Sequence, residues 1–197
     1  MTEWIIEELA DFDEDKGSIH IGDERLLVVP ASFLPSIKEN YIDFIKQFDE
    51  ITDKAAEVIA KRKFFMKAYE AGRETAEKIP EQGSKKETLL KALEILEQIG
   101  YGSFEVLRYE PPENIVVRVN HSPEAEWSLE KHGFIESEKP VCDFLRGFAS
   151  GAAHTIFGAP IQAEELMCIA KGEEFCKVRF FVGDKPGDSW LMDQDIF

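Results

Sequence analysis

Cys142, Cys168 and Cys176 are the residues of this 197-residue chain whose type and spacing point most directly to chemistry. Cys168 and Cys176 lie four residues to either side of Gly172. A hairpin with a three-residue loop centred on Gly172 would place them directly opposite each other. Opposed side chains in an antiparallel pair have Cβ atoms about 4.5–5.5 Å apart, so two thiolates can share one ion at Zn–S distances of about 2.3 Å. Gly172 offers the positive φ that such a loop needs. Cys142 falls in the first turn of a helix, whose N-terminus favours the thiolate, the form that binds metal. Two acids precede Cys168. Glu164 has the strand parity to share its face, whereas Glu165, three residues before it, joins it only if the strand bulges. Spacing alone leaves three readings open: a metal site, a pair of buried free cysteines, or a cross-strand disulfide formed on oxidation.

The elements that must position these residues follow from periodicity and punctuation. Residues 17–29 read as two short strands around Gly22-Asp23. Ser32 caps a helix to about Phe48, with apolar residues at Leu34, Ile37, Tyr41, Phe44, Ile45 and Phe48. A longer helix starts at Asp53 and ends before Pro80. After a polar loop at 81–86, a third carries Leu89, Leu90, Leu93, Leu96 and Ile99 and stops at Gly100. Strands at 103–109 and 114–120 are separated by Pro111-Pro112. Ser122-Pro123-Glu124 opens a short helix to about His132. Pro140 precedes a helix over 141–157, and strands at 161–170 and 175–182 form the cysteine hairpin. Arg146, Gly147, Ala149, Gly151, Ala152 and Ala153 give the helix after Cys142 a small-residue surface, suited to close packing against a neighbouring helix.

Composition bounds the function classes. With 44% hydrophobic and 31% charged residues, the chain reads as an ordinary globular domain. A formal charge of −16 repels phosphate backbones and anionic lipid, so direct nucleic-acid binding is not expected. No run of about 20 apolar residues offers a membrane span. The acidic N-terminus lacks the basic start of a signal peptide. Three cysteines, an odd number, fit a reducing cytoplasm in which clustered cysteine more often means metal than a bridge. His20, His121, His132 and His154 form no metal spacing. Neither GxSxG nor GxGxxG is present, so no catalytic machinery is expected beyond the metal.

The run PVCDFLRGFASGAAHTIFGAPIQAEELMCIAKGEEFCKVRFF resembles the core of the 4-vinyl reductase domain: a Cys opening a small-residue helix, then Glu-x-x-Cys, Gly and Cys. The same domain forms the sensory part of aromatic-responsive NtrC-type regulators of phenol and xylene catabolism. GSIHIGDERLLVVPASFLPSIKENYIDFI, YEAGRETA and NHSPEAEWSLEKHG resemble upstream parts of those sensors, so the likeness spans roughly 17–182. The resemblance implies a structural zinc held by Cys142, Glu165, Cys168 and Cys176, which favours Glu165 over Glu164. Four protein ligands close the tetrahedron and leave no catalytic water position.

The sensors read phenol with a His and a Trp. Leu96 and Val119 stand at those positions here, with His121 and Trp127 near but out of register. A more apolar pocket follows, with Leu96, Val117, Val119, Trp127, Phe144 and Phe148 as candidate lining. The sequence has no GxxxxGK[ST] and no helix-turn-helix, so a complete regulator is not expected. The expectation is one α+β domain over 17–182, flanked by an extension at 1–16 and a tail at 183–197. Helices would pack on an antiparallel sheet, with an apolar cavity above a zinc-bound hairpin. It would act as a cytoplasmic sensor of a small apolar or aromatic ligand, through a homodimer or a regulatory protein partner. Two rivals come with the resemblance: an enzyme or assembly factor of tetrapyrrole vinyl reduction, and an interaction module like the TRAPP vesicle-tethering subunits.

Overall fold

The structure is a computed structural model that describes residues 10–13, 18–21, 24–26, 33–48, 51–80, 83–136, 139–185 and 187–188. Three short strands come first, β1 (Ala10–Asp13), β2 (Ser18–Ile21) and β3 (Glu24–Leu26), in one antiparallel sheet. Ile21 pairs with Glu24 around Gly22-Asp23, as expected. Strand β1 was not expected; it lies in the stretch read as an extension and pairs Ala10 with Ile21.

Helices α1 (Phe33–Ile45), α2 (Asp53–Lys78) and α3 (Lys85–Gln98) follow. The Ser32 cap lies outside the described residues. Thr52, not Asp53, caps α2: its hydroxyl accepts from the Ala55 amide at 3.2 Å. Ser84 and Glu87 form a reciprocal capping box on α3, so that helix begins inside the stretch read as a polar loop.

Strands β4 (Ser103–Glu110) and β5 (Asn114–Asn120) turn through Pro111-Pro112. They are followed by α4 (Pro123–His132), α5 (Asp143–Phe157), β6 (Ile161–Met167), a 3₁₀ turn at Ile169–Lys171, β7 (Cys176–Val182) and β8 (Gly187–Asp188). The sheet order is β4-β5-β7-β6-β8. The first four strands are antiparallel, and β8 runs parallel to β6. The described chain is thus an α+β domain with five α-helices and a four-stranded antiparallel sheet at its centre.

The inward face of that sheet carries Ile115, Val117, Val119, Ile161, Ala163, Val178 and Phe180, all buried. On β5 and β7 burial alternates residue by residue, the signature of a sheet covered on one face. Helix α5 lies in the core and crosses α2 at glycines. A Cβ on Gly151 would stand 2.0 Å from the Tyr69 carbonyl oxygen, and one on Gly147 2.4 Å from that of Phe65. Close helix packing is therefore what the small-residue surface serves. Among the described residues, no helix is long and apolar enough to cross a membrane.

Candidate metal centre and aromatic core

The β6–β7 register explains how the cysteines meet. Glu165 pairs with Val178, but Met167 pairs with Lys177, so the strand bulges at Leu166. Past the bulge the register brings Cys168 opposite Cys176. The intervening loop is longer than the three residues expected: β6 ends at Met167, and the turn at Ile169–Lys171 leads to Gly172 at φ 88°. The turn forms because the Lys171 and Glu173 amides both donate to the Cys168 carbonyl, at 2.9 and 3.3 Å.

The bulge also sorts the two acids. Val178 and Cys176 share the buried face of β7, so Glu165, opposite Val178, lies on the cysteine face. Glu164 pairs with Arg179 on the other face and meets its guanidinium at 3.5 Å. The fallback acid therefore points away from the cysteines.

All three cysteines are fully buried and free. The Cys142–Cys176 and Cys176–Cys168 sulfurs are each 3.8 Å apart, and all three lie within 4.8 Å of one another. Ligands placed tetrahedrally at about 2.3 Å from a zinc ion stand about 3.8 Å from each other. The sulfur spacing thus suits one ion and is far longer than a disulfide. The Ile169 amide donates to the Cys176 sulfur at 3.5 Å, and the Ser122 hydroxyl lies 3.3 Å from that of Cys142. Contact with Cys168, with burial adding, pushes the Cys142 thiol well up; contact with Cys142, with burial adding, does the same to Cys176. Cys168 is pushed up by Cys176 and by burial, against its contact with Cys142. Protein groups alone thus hold the cluster protonated, and a bound cation would displace those protons.

The Glu165 carboxylate, with its side chain 1% exposed, is not brought into the three-sulfur group. It accepts from the Val141 amide at 3.1 Å and the Cys142 amide at 2.9 Å, and Lys171 Nζ stands 3.2 Å away. A second acid grips the same helix end. Glu124, from α4, accepts from the Phe144 and Leu145 amides, both at 3.0 Å. Amides at a helix start have no partner within the helix, and here carboxylates from two other elements receive them. This explains why α5 begins without a side-chain cap of its own.

Charge collects around this helix end. Lys38 of α1 donates to Asp143 at 2.8 Å and to the Val141 carbonyl at 3.2 Å. Lys61 of α2 donates to the Pro140 carbonyl at 2.7 Å. Arg146, fully buried, donates to Asp143 at 2.7 Å. Burial would push the Asp143 carboxyl up, but Lys38, Lys61 and Arg146 outweigh it and hold it below its ordinary value. For Glu124 burial prevails over Lys38, and its carboxyl is raised. Sequence reasoning missed these residues because charged side chains ordinarily mark the surface.

Five of the six candidate lining residues come together. Leu96, Val117, Val119 and Phe148 are buried in one apolar cluster, with Phe144 half-buried against it. Phe144 stacks on Tyr101 at 4.9 Å and on Phe148 at 6.0 Å. Trp127 stands apart, on a surface groove with Glu97, His121, Pro123, Glu126 and Glu130, and Lys131 Nζ lies 4.7 Å from its ring centre. His121 is exposed and pairs with Glu126 at 2.9 Å.

Residues 116–181 match the family model of the 4-vinyl reductase domain. This segment belongs to that domain family. It runs from β5 through β7 and contains all three cysteines and Glu165. No curated protein sequence matches the chain. Among solved structures, the chain is similar to the phenol-responsive sensory domain of the transcription activator PoxR with phenol. The TM-score is 0.76 at 18% identity, covering 90% of this chain and 87% of that one. It is also similar to a trafficking protein particle complex subunit 3 from Naegleria fowleri covalently bound to palmitic acid, with TM-score 0.52 at 12% identity, covering 79% and 96%. A vinyl-4-reductase family protein from Methanocaldococcus jannaschii matches with TM-score 0.45 at 19% identity, covering 81% and 100%. At these identities the likeness is one of fold, and it extends beyond the 4-vinyl reductase segment to most of the chain.

Proposed function

We propose that this protein of the 4-vinyl reductase domain family is a zinc-containing sensor of a small hydrophobic or aromatic molecule, not an enzyme. The observation that carries the reading is the juxtaposition of two features on one helix. The N-terminal end of α5 joins the buried sulfur cluster, and its next turns carry Phe144 and Phe148 into the aromatic core. In this reading zinc is held by Cys142, Cys168 and Cys176, with the Glu165 carboxylate closing the tetrahedron from the same face of the hairpin. The ion ties α5 to the β6–β7 hairpin, so a molecule pressing on Phe144 and Phe148 moves a helix fastened at one end. The ligand chamber is lined by Leu96, Val117, Val119, Phe144 and Phe148; Trp127, on its surface groove, is not placed there. Fold likeness to a phenol-responsive sensory domain supports the sensor over the tetrapyrrole and tethering readings. The domain acts in the cytoplasm as a homodimer or through a regulatory protein partner, without nucleic acid.

Apolar ligands in such a chamber gain about 25 cal/mol per Å² buried, and any molecule that binds only the folded state raises the melting temperature. Toluene and naphthalene are therefore expected to stabilise the purified protein against heat in a dose-dependent way. Unchanged melting across both, up to their solubility limits, would refute the sensor reading.

A further inference from the structure

Tyr101 is the polar group of the aromatic core that the sequence reading passed over. It follows α3 directly, and its amide donates to the Leu96 carbonyl at 2.9 Å. Glycines flank it on both sides, Gly100 at φ 86° and Gly102 at φ 98°. These left-handed residues turn the chain twice within three positions, a conformation side chains resist. A Cβ on Gly102 would stand 2.2 Å from the Asn120 carbonyl oxygen, so the loop is also pressed against the end of β5. The result is a tyrosine from a connecting loop that is 9% exposed and packed in the same cluster as Leu96, Val117, Val119 and Phe148.

Its ring is accounted for by the stack on Phe144, but its hydroxyl is not. Tyr69, the other buried tyrosine, gives its hydroxyl to His154. The Tyr101 hydroxyl has no hydrogen-bond partner among the described residues. The carboxylate nearest in its electrostatic surroundings, Glu124, is already engaged by the Phe144 and Leu145 amides. Burial, with the charges of Glu124 and Cys142 adding to it, holds the phenol firmly protonated, so it keeps a proton to donate. A buried tyrosine hydroxyl ordinarily finds a partner, because one left unmade costs free energy.

We propose that Tyr101 is the specificity-determining residue of the chamber, its hydroxyl bonding the one polar atom of an otherwise apolar ligand. This deepens the sensor reading and rests on it. The polar reader sits on the Gly-Tyr-Gly loop after α3, not at Leu96 or Val119, where the resemblance would have looked. The ligand class is a neutral molecule with a flat apolar body and a single terminal oxygen, a hydroxyl or a carbonyl. An acid is disfavoured, since Glu124 repels it and the nearby Lys38 is committed to Asp143. The expectation of a purely apolar chamber is revised accordingly.

Calorimetry with phenol and toluene, alike in shape, on the wild-type chain and on Tyr101→Phe tests this. The wild type is expected to bind phenol about tenfold more tightly than toluene, the usual worth of one net hydrogen bond. Tyr101→Phe should bind toluene as before and lose the preference for phenol. If the Phe variant does not fold, fluorotyrosine in the wild-type background replaces it. The Tyr101 fluorine resonance, assigned by changing the other three tyrosines to Phe, should shift with phenol more than with toluene. Equal binding of both ligands by the wild type, a preference that survives in Tyr101→Phe, or equal fluorine shifts would overturn the role of Tyr101 and leave the sensor reading standing. Binding of neither ligand would overturn both.

Discussion

The two ends of the path along α5 are built on opposite principles. At its N-terminal end, two carboxylates, two lysines, an arginine and three thiols from five elements are buried, and the charges answer one another. A few turns on, the helix meets α2 through glycine-to-backbone contact and offers Phe144 and Phe148 to a chamber with one unanswered polar atom, the Tyr101 hydroxyl. The difference teaches how one helix can be both anchor and probe. Satisfied buried charge gives a single well-defined position, while apolar packing tolerates small displacements when a ligand enters.

The contrast is broken most severely at the sulfurs. Cys176→Ser removes the ligand shared by both 3.8 Å contacts, and in a structural site metal-binding energy is also folding energy. A loss of more than about 5 kcal/mol, read by denaturant unfolding, is expected. Next comes Glu124→Ala, which strips two buried amides and Lys38 of their acceptor; about 3 kcal/mol is expected. Gly151→Ala probes the crossing, where a methyl would meet the Tyr69 carbonyl at 2.0 Å. About 2 kcal/mol is expected, with zinc content unchanged because the strain falls on the crossing and not on the anchor.

The smallest effect lies at the surface clasp between α1 and α4. Burial alone would push the Glu39 carboxyl up, but hydrogen bonds from Lys131 and His132 outweigh it and hold it below its ordinary value. A carboxylate with a depressed folded-state pKa contributes stability that is present above its unfolded pKa. That contribution is lost as pH falls through the folded value. Wild type should therefore exceed Glu39→Gln in stability by a small margin at neutral pH, and melting curves of the two should converge as the solution is acidified below about pH 4. A gap that widens on acidification would contradict this.

What was legible in the sequence was whatever depends on period and punctuation. The helices and the four central strands fall close to their expected bounds, and the symmetry of Cys168 and Cys176 about Gly172 anticipates their meeting. The loop between them was misjudged, because a 3₁₀ turn and a bulge together conserve the pairing that a simple three-residue loop would give. The side of the strand that Glu165 occupies could not be read from alternation, since one extra residue at Leu166 reverses parity. Glu124, Lys38 and Asp143 were invisible for a different reason. Their burial depends on long-range partners that no local pattern announces. Tyr101 left a faint signal, the Gly-Tyr-Gly sequence, whose glycines show that an aromatic side chain is being turned somewhere particular.

The anchor itself is tested most directly by native mass spectrometry of the intact chain, followed by thiol titration. The account predicts one zinc ion per folded chain, and three thiols that react only after the metal is chelated. A folded chain without metal, whose three cysteines titrate freely, would contradict it.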